Sequence, residues 1–502
     1  MDSAGSDHRS GPQPPFPQVR KRNEHPMEHM TTTGTDGRTV LVRNPANVRQ
    51  VVGDYVPAGE SEVDSSVLRA QKSLTEWSSI SAAERYNRLQ LGVGRVHQIE
   101  DLAGLLSRET GKTFEESAGE PGFLDFLMYM YADAPDWIDG ARALEDDGSG
   151  TSWLRNKPFG VVAAITPYNY PLLLSALKVI PALLTGNAVV LAVAPTAPLG
   201  TTQAFRAMAE ELPDGLLTVL NGPGKTVGQA LVTHPGVRKV SFTGSTATGR
   251  AITAAAAENL KSVTLELGGN DPAVVLPDCE LDDVFFDRMV AASFMAAGQV
   301  CFGIKRVYAP NDRVDEIAAG LGVRLDRYVI GDGMDPSTTM GPVHTAAQRG
   351  YVRELNDEAR ASGATVRIHG SFGGDPDLGW FLLPSIVTGA SHAQRIVSEE
   401  QFGPSLPIVG YDSIDQAVEM ANDNEYGLSS SVWSADPDHA TSVAARIDAG
   451  ATYINNHGLF AMDARPGLGG FRQSGNGAEG GQASLQTFTQ QQVVTMKSPP
   501  PG

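Results

Sequence analysis

An α/β fold with parallel sheets is what this sequence predicts, and three observations carry the prediction. Short apolar strands and amphipathic helical stretches alternate from Gly160 to Phe242, the order that winds helices over a parallel sheet. Hydrophobic residues make up 41% of the 502 positions, enough for a large buried core. Glycine contributes 54 residues, which points to many tight turns and close backbone approaches. At roughly 100–200 residues per domain, a chain of this length suggests about three units.

Residues 1–36 are rich in proline, histidine, serine and threonine with one aromatic, Phe16, which is the composition of a disordered tail. Its Arg20-Lys21-Arg22 run reads as a solvated face. From Asp64 to Lys112 apolar residues recur three and four apart, enough for three helices, with Ser81 capping the one that starts near Ala82. Pro121 to Trp137 predicts another helix or pair, and Glu145–Lys157 a hairpin. Strands are expected over 160–166, 188–193, 217–220 and 237–242, separated by helices over 172–184, 201–211 and 225–232. A second α/β region opens near Pro272. It holds a helix near 282–298, the strand RVYA, a helix from Arg313 to about Tyr328, and helices around 345–361 and 414–424 bracketing the strands VRIHG and LPIVGY. The closing stretch LQTFTQQQVVTMK alternates as an edge strand does.

Lys and Arg total 39 against 58 Asp and Glu, a net charge of −19. That balance argues against a nucleic-acid surface, which needs clustered cations. It leaves room for a phosphate-bearing cofactor, because backbone N–H groups hold phosphate without net positive charge. Two cysteines are no disulfide framework, so reduced thiols are expected. The first 20 residues lack the apolar run of a secretory signal. The long apolar stretch after Gly160 is broken by Pro167, Pro171, Pro181, Asn169 and Lys178, so no membrane span is expected. A cytoplasmic protein without nucleic-acid or membrane partners follows.

Four short segments carry chemistry-bearing residues. Cys301 lies in GQVC before a glycine-flanked turn, where it reads either as a core cysteine or as a nucleophile. Cys279, in LPDCELDD, has no comparable setting and reads as structural. Glu266 sits between leucines in LELGGN, either as a strand acid or as a desolvated general base beside two glycines. Asn169 in PYNYP is a turn former or an amide aimed at a developing oxyanion. FTGSTATG follows a strand with Gly244 and Gly249 five apart, which is not the ordinary dinucleotide fingerprint. A strand running into a glycine turn and a helix start can still hold phosphate. No metal-ligand cluster is evident.

In order along the chain, PYNYP, PALLTGN, FTGSTATG, LELGGN, GQVC, EEQFGP, NNHG and PGLGGFRQSGNGAEGG resemble the aldehyde dehydrogenase superfamily, from about Asn44 to Lys497. The resemblance implies a Rossmann-type cofactor domain (37–142 and 159–271), an α/β catalytic domain (272–483) and a small bridging sheet (143–158 and 484–497). It implies Cys301 as nucleophile, Glu266 as base, Asn169 as oxyanion donor and Lys178 as a lysine near Asn169 that tunes the site. Around the cofactor it implies Thr166, Pro167 and Tyr168 along the cleft, Thr243 beside the nicotinamide, and Gly244, Ser245 and Gly249 on the phosphate side. Leu267, Glu400 and Phe402 are implied on the nicotinamide side, the last two at its ribose and ring. An aldehyde tunnel would be lined by Phe126, Tyr170, Leu173, Leu174, Leu177, Met295, Phe302 and Phe460. Oxidation of an apolar aliphatic or aromatic aldehyde to the acid, with NAD or NADP, is the implied reaction. A homodimer or homotetramer is the implied assembly.

The sequence departs from the family pattern mildly at Ala478, where the family commonly has arginine, and more seriously at one other place. Where a lysine and, three positions on, a glutamate usually hold the adenosine ribose, this chain has Ala192 and Pro195. Losing the glutamate removes a barrier to the 2′-phosphate of NADP, while VAPTAPLG supplies no positive residue to attract one, which favours NAD. Three competing readings follow. A CoA-acylating enzyme would dispense with Glu266. A semialdehyde enzyme would want arginines, with Arg306 and Arg472 left open for that role. A cofactor-impaired binding or structural protein is motivated by Ala192 and opposed by the intact Cys301, Glu266 and Asn169 set.

Overall fold

The computed structural model describes residues 31–33, 39–144 and 150–497. The chain opens with an antiparallel β-meander of β1 (Thr31–Thr33), β2 (Val40–Asn44) and β3 (Asn47–Tyr55). This corrects the expected tail at its inner end: three consecutive β-branched threonines pair with Val40–Val42, a local preference that averaging over the prolines upstream conceals. The rest of the tail, residues 1–30 and 34–36, lies outside the described residues.

Helices α1 (Glu60–Trp77), α2 (Ala82–Val96), α3 (Leu102–Thr110), α4 (Phe114–Met130) and α5 (Ala134–Asp139) follow. Ser81 caps α2 as its pattern indicates, accepting from the Glu84 N–H at 3.2 Å. Helix α4 begins seven residues before Pro121 because Thr113 and Glu116 form a reciprocal capping box there. Strands β4 (Arg142–Ala143) and β5 (Gly150–Pro158) pair antiparallel, and residues 145–149 of the expected hairpin lie outside the described residues.

The first large sheet is parallel. Its strands are β6 (Val161–Ile165), β7 (Ala188–Val193), β8 (Leu217–Asn221), β9 (Val237–Thr243) and β10 (Ser262–Glu266), in the order β10-β9-β6-β7-β8. Helices α6 (Pro171–Leu184), α7 (Leu199–Ala209), α8 (Gln229–Thr233) and α9 (Thr246–Ala257) connect them. Strands β6 and β7 are buried almost throughout, as sheets covered on both faces require. The winding direction reverses between β6 and β9, which makes a switch point at their carboxyl ends.

A second sheet of seven strands is centred on β11 (Asp271–Val275) and β12 (Ile304–Pro310), joined by α10 (Asp283–Phe294). Its edge strand Thr365–Ile368 alone runs antiparallel. The two-residue strand Gly475–Asn476 leaves this half of the chain and pairs with β10 of the first sheet. The chain end, Thr489–Lys497, pairs antiparallel with β5 from Thr489↔Pro158 to Lys497↔Gly150. Here the expected edge strand is corrected, since Leu485–Thr487 belong to the helix Gly481–Thr487. Leu485 and Phe488 are buried in the first sheet's core, so packing overrides the alternation. Among the described residues no helix is long and apolar enough to cross a membrane.

Candidate active site

Helix α10 runs into the turn that carries Cys301 through a strained passage. Ala296 and Ala297 take positive φ of 49° and 56°, ahead of Gly298 at 73°. Left-handed alanines cost about 1–2 kcal/mol each, and such strain persists only where surroundings over-determine it. Glu116 Oε1 holds the passage by accepting the Ala296 N–H at 2.7 Å, and Gly298 must be glycine because a Cβ there would lie 2.4 Å from the Gly403 carbonyl oxygen. The half-buried Cys301 follows, flanked by carbonyls that buried side chains hold. Asn169 Nδ2 donates to Gln299 O at 2.9 Å, Lys305 Nζ donates to Val300 O and to Gly303 O (3.1 Å), and His457 Nε2 meets Phe302 O at 3.1 Å. Burial pushes the Cys301 thiol up to about 12, opposed by Lys305 and reinforced by Glu400, Glu266 and Asp271.

Glu266 ends β10, beside Thr243 on one side and Gly475 on the other. Gly475 is required there, because its φ is 144° and a Cβ would fall 2.1 Å from Leu265 O. The Glu266 carboxyl is 7% exposed, and its Oε1 has no hydrogen-bond partner. Burial holds it well above the usual carboxylate range. The negative charge of Glu479 adds to this and Lys178 opposes it. Lys178 itself is fully buried in an ion pair with Glu479, so its influence falls on the base. Cys279 is buried away from this cluster, its thiol bonded to Glu280 O at 3.7 Å.

At the switch point, Thr166 follows β6 and Thr243 ends β9, with the buried Thr243 Oγ1 unpartnered. Gly244 leads to Ser245, which caps α9 by accepting the Thr248 N–H at 3.3 Å. Gly249 lies within α9 against Leu267, and a Cβ there would come 2.7 Å from the leucine, so close helix packing is what this glycine supplies. Pro167 precedes Tyr168, which stacks on His344 (4.0 Å) and meets Phe402 edge-on (6.4 Å). Phe402 has a positive φ of 47°, and Glu400 Oε1 accepts the Gly269 N–H at 3.2 Å. Ala192 and Pro195 lie where β7 ends, and the Pro195 carbonyl accepts from the Tyr55 hydroxyl at 3.1 Å. An orphaned polar atom, a glycine turn and a capped helix N-terminus at a switch point fit a dinucleotide.

Tyr170, just before α6, and Leu173 and Leu174 from α6 form an apolar cluster with Ala296 and Val300, and Leu177, Met295, Phe302 and Phe123 pack against it. The structure does not bring Phe126 into this cluster. It is 43% exposed on α4 and touches Phe123 at 5.6 Å between ring centroids. Phe460 closes a short 3₁₀ turn, and its side chain lies outside the described residues. Arg306 spends its donors on Asn270 O, Tyr308 and the Met420 and Ala421 carbonyls, and Arg472 binds Asp448 and two carbonyls. Neither arginine is free to meet a carboxylated substrate.

Four residues escaped the sequence reading. Gln299 receives the His344 N–H at 2.9 Å and the Tyr168 hydroxyl at 3.3 Å, and its place beside Cys301 in GQVC was the available signal. Glu479 lies in the noted GNGAEGG segment, whereas nothing local marks His344. Lys305 follows Cys301 by four positions, a spacing that means nothing until the turn folds.

A chain with this fold and this constellation matches the aldehyde dehydrogenase family over residues 32–494. It belongs to that family. It is 34% identical over 465 residues to the betaine aldehyde dehydrogenase of Bacillus subtilis, covering 91% of this chain and 94% of the relative. Identity to the geranial dehydrogenase of Castellaniella defragrans is also 34%, over 89% of this chain and 94% of that one. Among solved structures, the betaine aldehyde dehydrogenase of Staphylococcus aureus in complex with NAD+ superposes with a TM-score of 0.87 at 30% identity, covering 94% and 96% of the two chains.

Proposed function

We propose that this aldehyde dehydrogenase oxidises an apolar aliphatic or aromatic aldehyde to its carboxylic acid with NAD, through a thioester on Cys301. The observation that carries the substrate class is the apolar cluster, which includes both chain neighbours of Cys301, Val300 and Phe302. A quaternary ammonium such as betaine aldehyde would seek an open aromatic face. The Tyr170 ring face is already occupied by the Lys112 ammonium, 3.9 Å from its centroid, and so is not open to a second cation. The geranial-oxidising relative is therefore the better guide to substrate.

The Cys301 thiolate, its proton lost to solvent, bonds to the carbonyl carbon as the C=O π pair moves onto oxygen. The developing oxyanion meets the Cys301 N–H and the Asn169 amide proton that Gln299 O leaves unused. Thr166, Thr243, Gly244, Ser245, Glu400 and Phe402 would hold the dinucleotide, with Pro167, Tyr168 and Leu267 along its cleft. The bound nicotinamide supplies the acceptor for the hydride that converts the hemithioacetal to a thioester. Glu266 then takes a proton from water, the hydroxyl oxygen bonds to the acyl carbon, and the C–S bond breaks to restore the thiolate. Because burial raises the Glu266 carboxyl, its basic form grows as pH rises, and hydrolysis accelerates with it. The absence of a cation in VAPTAPLG supports NAD over NADP.

The division into cofactor, catalytic and bridging regions is part of this reading. So is assembly through the outer edge of Thr489–Lys497, where Val493 and Met496 are exposed and a homodimer or homotetramer would pair. Steady-state assays of hexanal, benzaldehyde, betaine aldehyde and succinic semialdehyde with NAD and NADP test the function. The first two with NAD are expected to lead by at least about tenfold in kcat/KM. Preference for either charged aldehyde would overturn the substrate class, and absence of cofactor binding would favour a binding-protein role.

A further inference from the structure

Of the four buried lysines among the described residues, Lys239 bonds to the Ser262 and Thr264 hydroxyls, and the other three are used in two different ways. Lys112 pairs with Glu120, and Lys178 pairs with Glu479. Lys305 instead gives its hydrogen bonds to the backbone, to Val300 O immediately before Cys301 and to Gly303 O two residues after it. A buried ammonium is a costly placement unless its charge is answered nearby. Glu400, Asp271 and Cys301 supply that answer, and all three support the charged lysine against the burial that lowers it. Of these, Cys301 is negative only as the thiolate.

We infer that Lys305 is the positioning residue that makes Cys301 a nucleophile, its ammonium clamping both sides of the turn and stabilising the thiolate. This rests on Cys301 being the reactive thiol, as proposed above. The charges around that sulfur are one cation and three acids: Lys305 from β12, Glu400 from the EEQFGP segment, Glu266 from β10 and Asp271 from β11. Tyr453 also senses the thiol, and His457 reaches the turn through Phe302 O. Burial and these three acids oppose ionisation, and Lys305 is the cation that favours the thiolate. The other carbonyl anchors, Asn169 and His457, also fix the turn, and His457 Nε2 lies 3.7 Å from Asp271 Oδ2.

The test is alkylation of Cys301 by iodoacetamide in the full-length protein without aldehyde, followed by peptide mapping that separates it from buried Cys279, from pH 6 to 10. Lys305→Met and Lys305→Gln are each expected to slow alkylation at pH 8 by at least about tenfold and move its profile to higher pH. A nearby opposite charge, at about 4–6 Å, lowers a pKa by about one to three units, and each unit is tenfold in thiolate. Lys305→Arg is expected to keep the parental profile. Lys305→Gln keeps a hydrogen-bond donor for the turn, so it carries the test should the methionine variant not fold. Parental rates and profiles in Lys305→Gln would overturn the inference. A parent enzyme whose Cys301 reacts no faster than Cys279 would overturn the nucleophile assignment itself.

Discussion

Around Cys301, the carbonyls of Gln299, Val300, Phe302 and Gly303 are each met by a buried side chain. At the far end of the same cleft, β7 stops at Ala192 and Pro195, which offer no side-chain donor. One end is over-determined and strained, and the other is bare. The difference teaches that the turn of Cys301 is held by side-chain anchoring, whereas an adenosine bound as proposed beside Ala192 and Pro195 would rely on backbone, helix N-terminus and shape. His344 stands between them. Its N–H donates to Gln299 Oε1, its Nε2 lies 2.8 Å from Thr196 Oγ1, and its ring stacks on Tyr168.

The most severe break in this comparison is Cys301→Ala. It removes the one atom the anchored end exists to present, and steady-state turnover is expected to fall by at least about a thousandfold. Nicotinamide binding, measured by titration, should stay within about twofold, because nothing at the bare end changes. Retained turnover would show that the anchored turn is structural only.

The joint between the two ends can be tested through pH. Burial holds His344 down at about 4, against 6.5 for an ordinary imidazole. Between those values the unfolded chain binds a proton that the folded one refuses, so stability is lost as pH falls from 6.5 towards 4. Over that window the loss attributable to His344 is roughly 3 kcal/mol. Melting temperatures of the parent and His344→Gln at pH 7.5 and 4.5 should show a smaller acid drop in the variant. Equal drops would remove His344 from the link.

Restoring a donor at the bare end is the mildest change. Ala192→Lys is expected to tighten NAD binding by about tenfold, near 1.4 kcal/mol, as one charge-assisted hydrogen bond can supply. Unchanged affinity in calorimetric titration would show that other groups already fill that role.

Much of the anchored end was legible in the sequence because its residues lie in contiguous motifs: Asn169 in PYNYP, Glu266 in LELGGN and Cys301 in GQVC. The strands β6 and β7 were legible because unbroken apolar runs bounded by Gly160 and Gly186-Asn187 permit little else. The other contacts were not: His344 has no local marker, and although His457 lies in NNHG, its contact with Phe302 O crosses 155 residues and no local pattern records it. Gly249 shows what a motif leaves out, since its close packing on Leu267 was not legible from the turn it sits in. The final helix Gly481–Thr487 was hidden because burial of Leu485 and Phe488 outweighed a two-residue alternation.

The central claim is that Cys301 carries the acyl group and buried Glu266 releases it. Its most direct test is mass spectrometry of Glu266→Gln after mixing with NAD and hexanal. Cys301 is expected to carry a hexanoyl thioester, the aldehyde's mass less two hydrogens, accompanied by a stoichiometric burst of reduced cofactor and slow turnover thereafter. An unmodified Cys301 peptide alongside parental turnover would contradict the account.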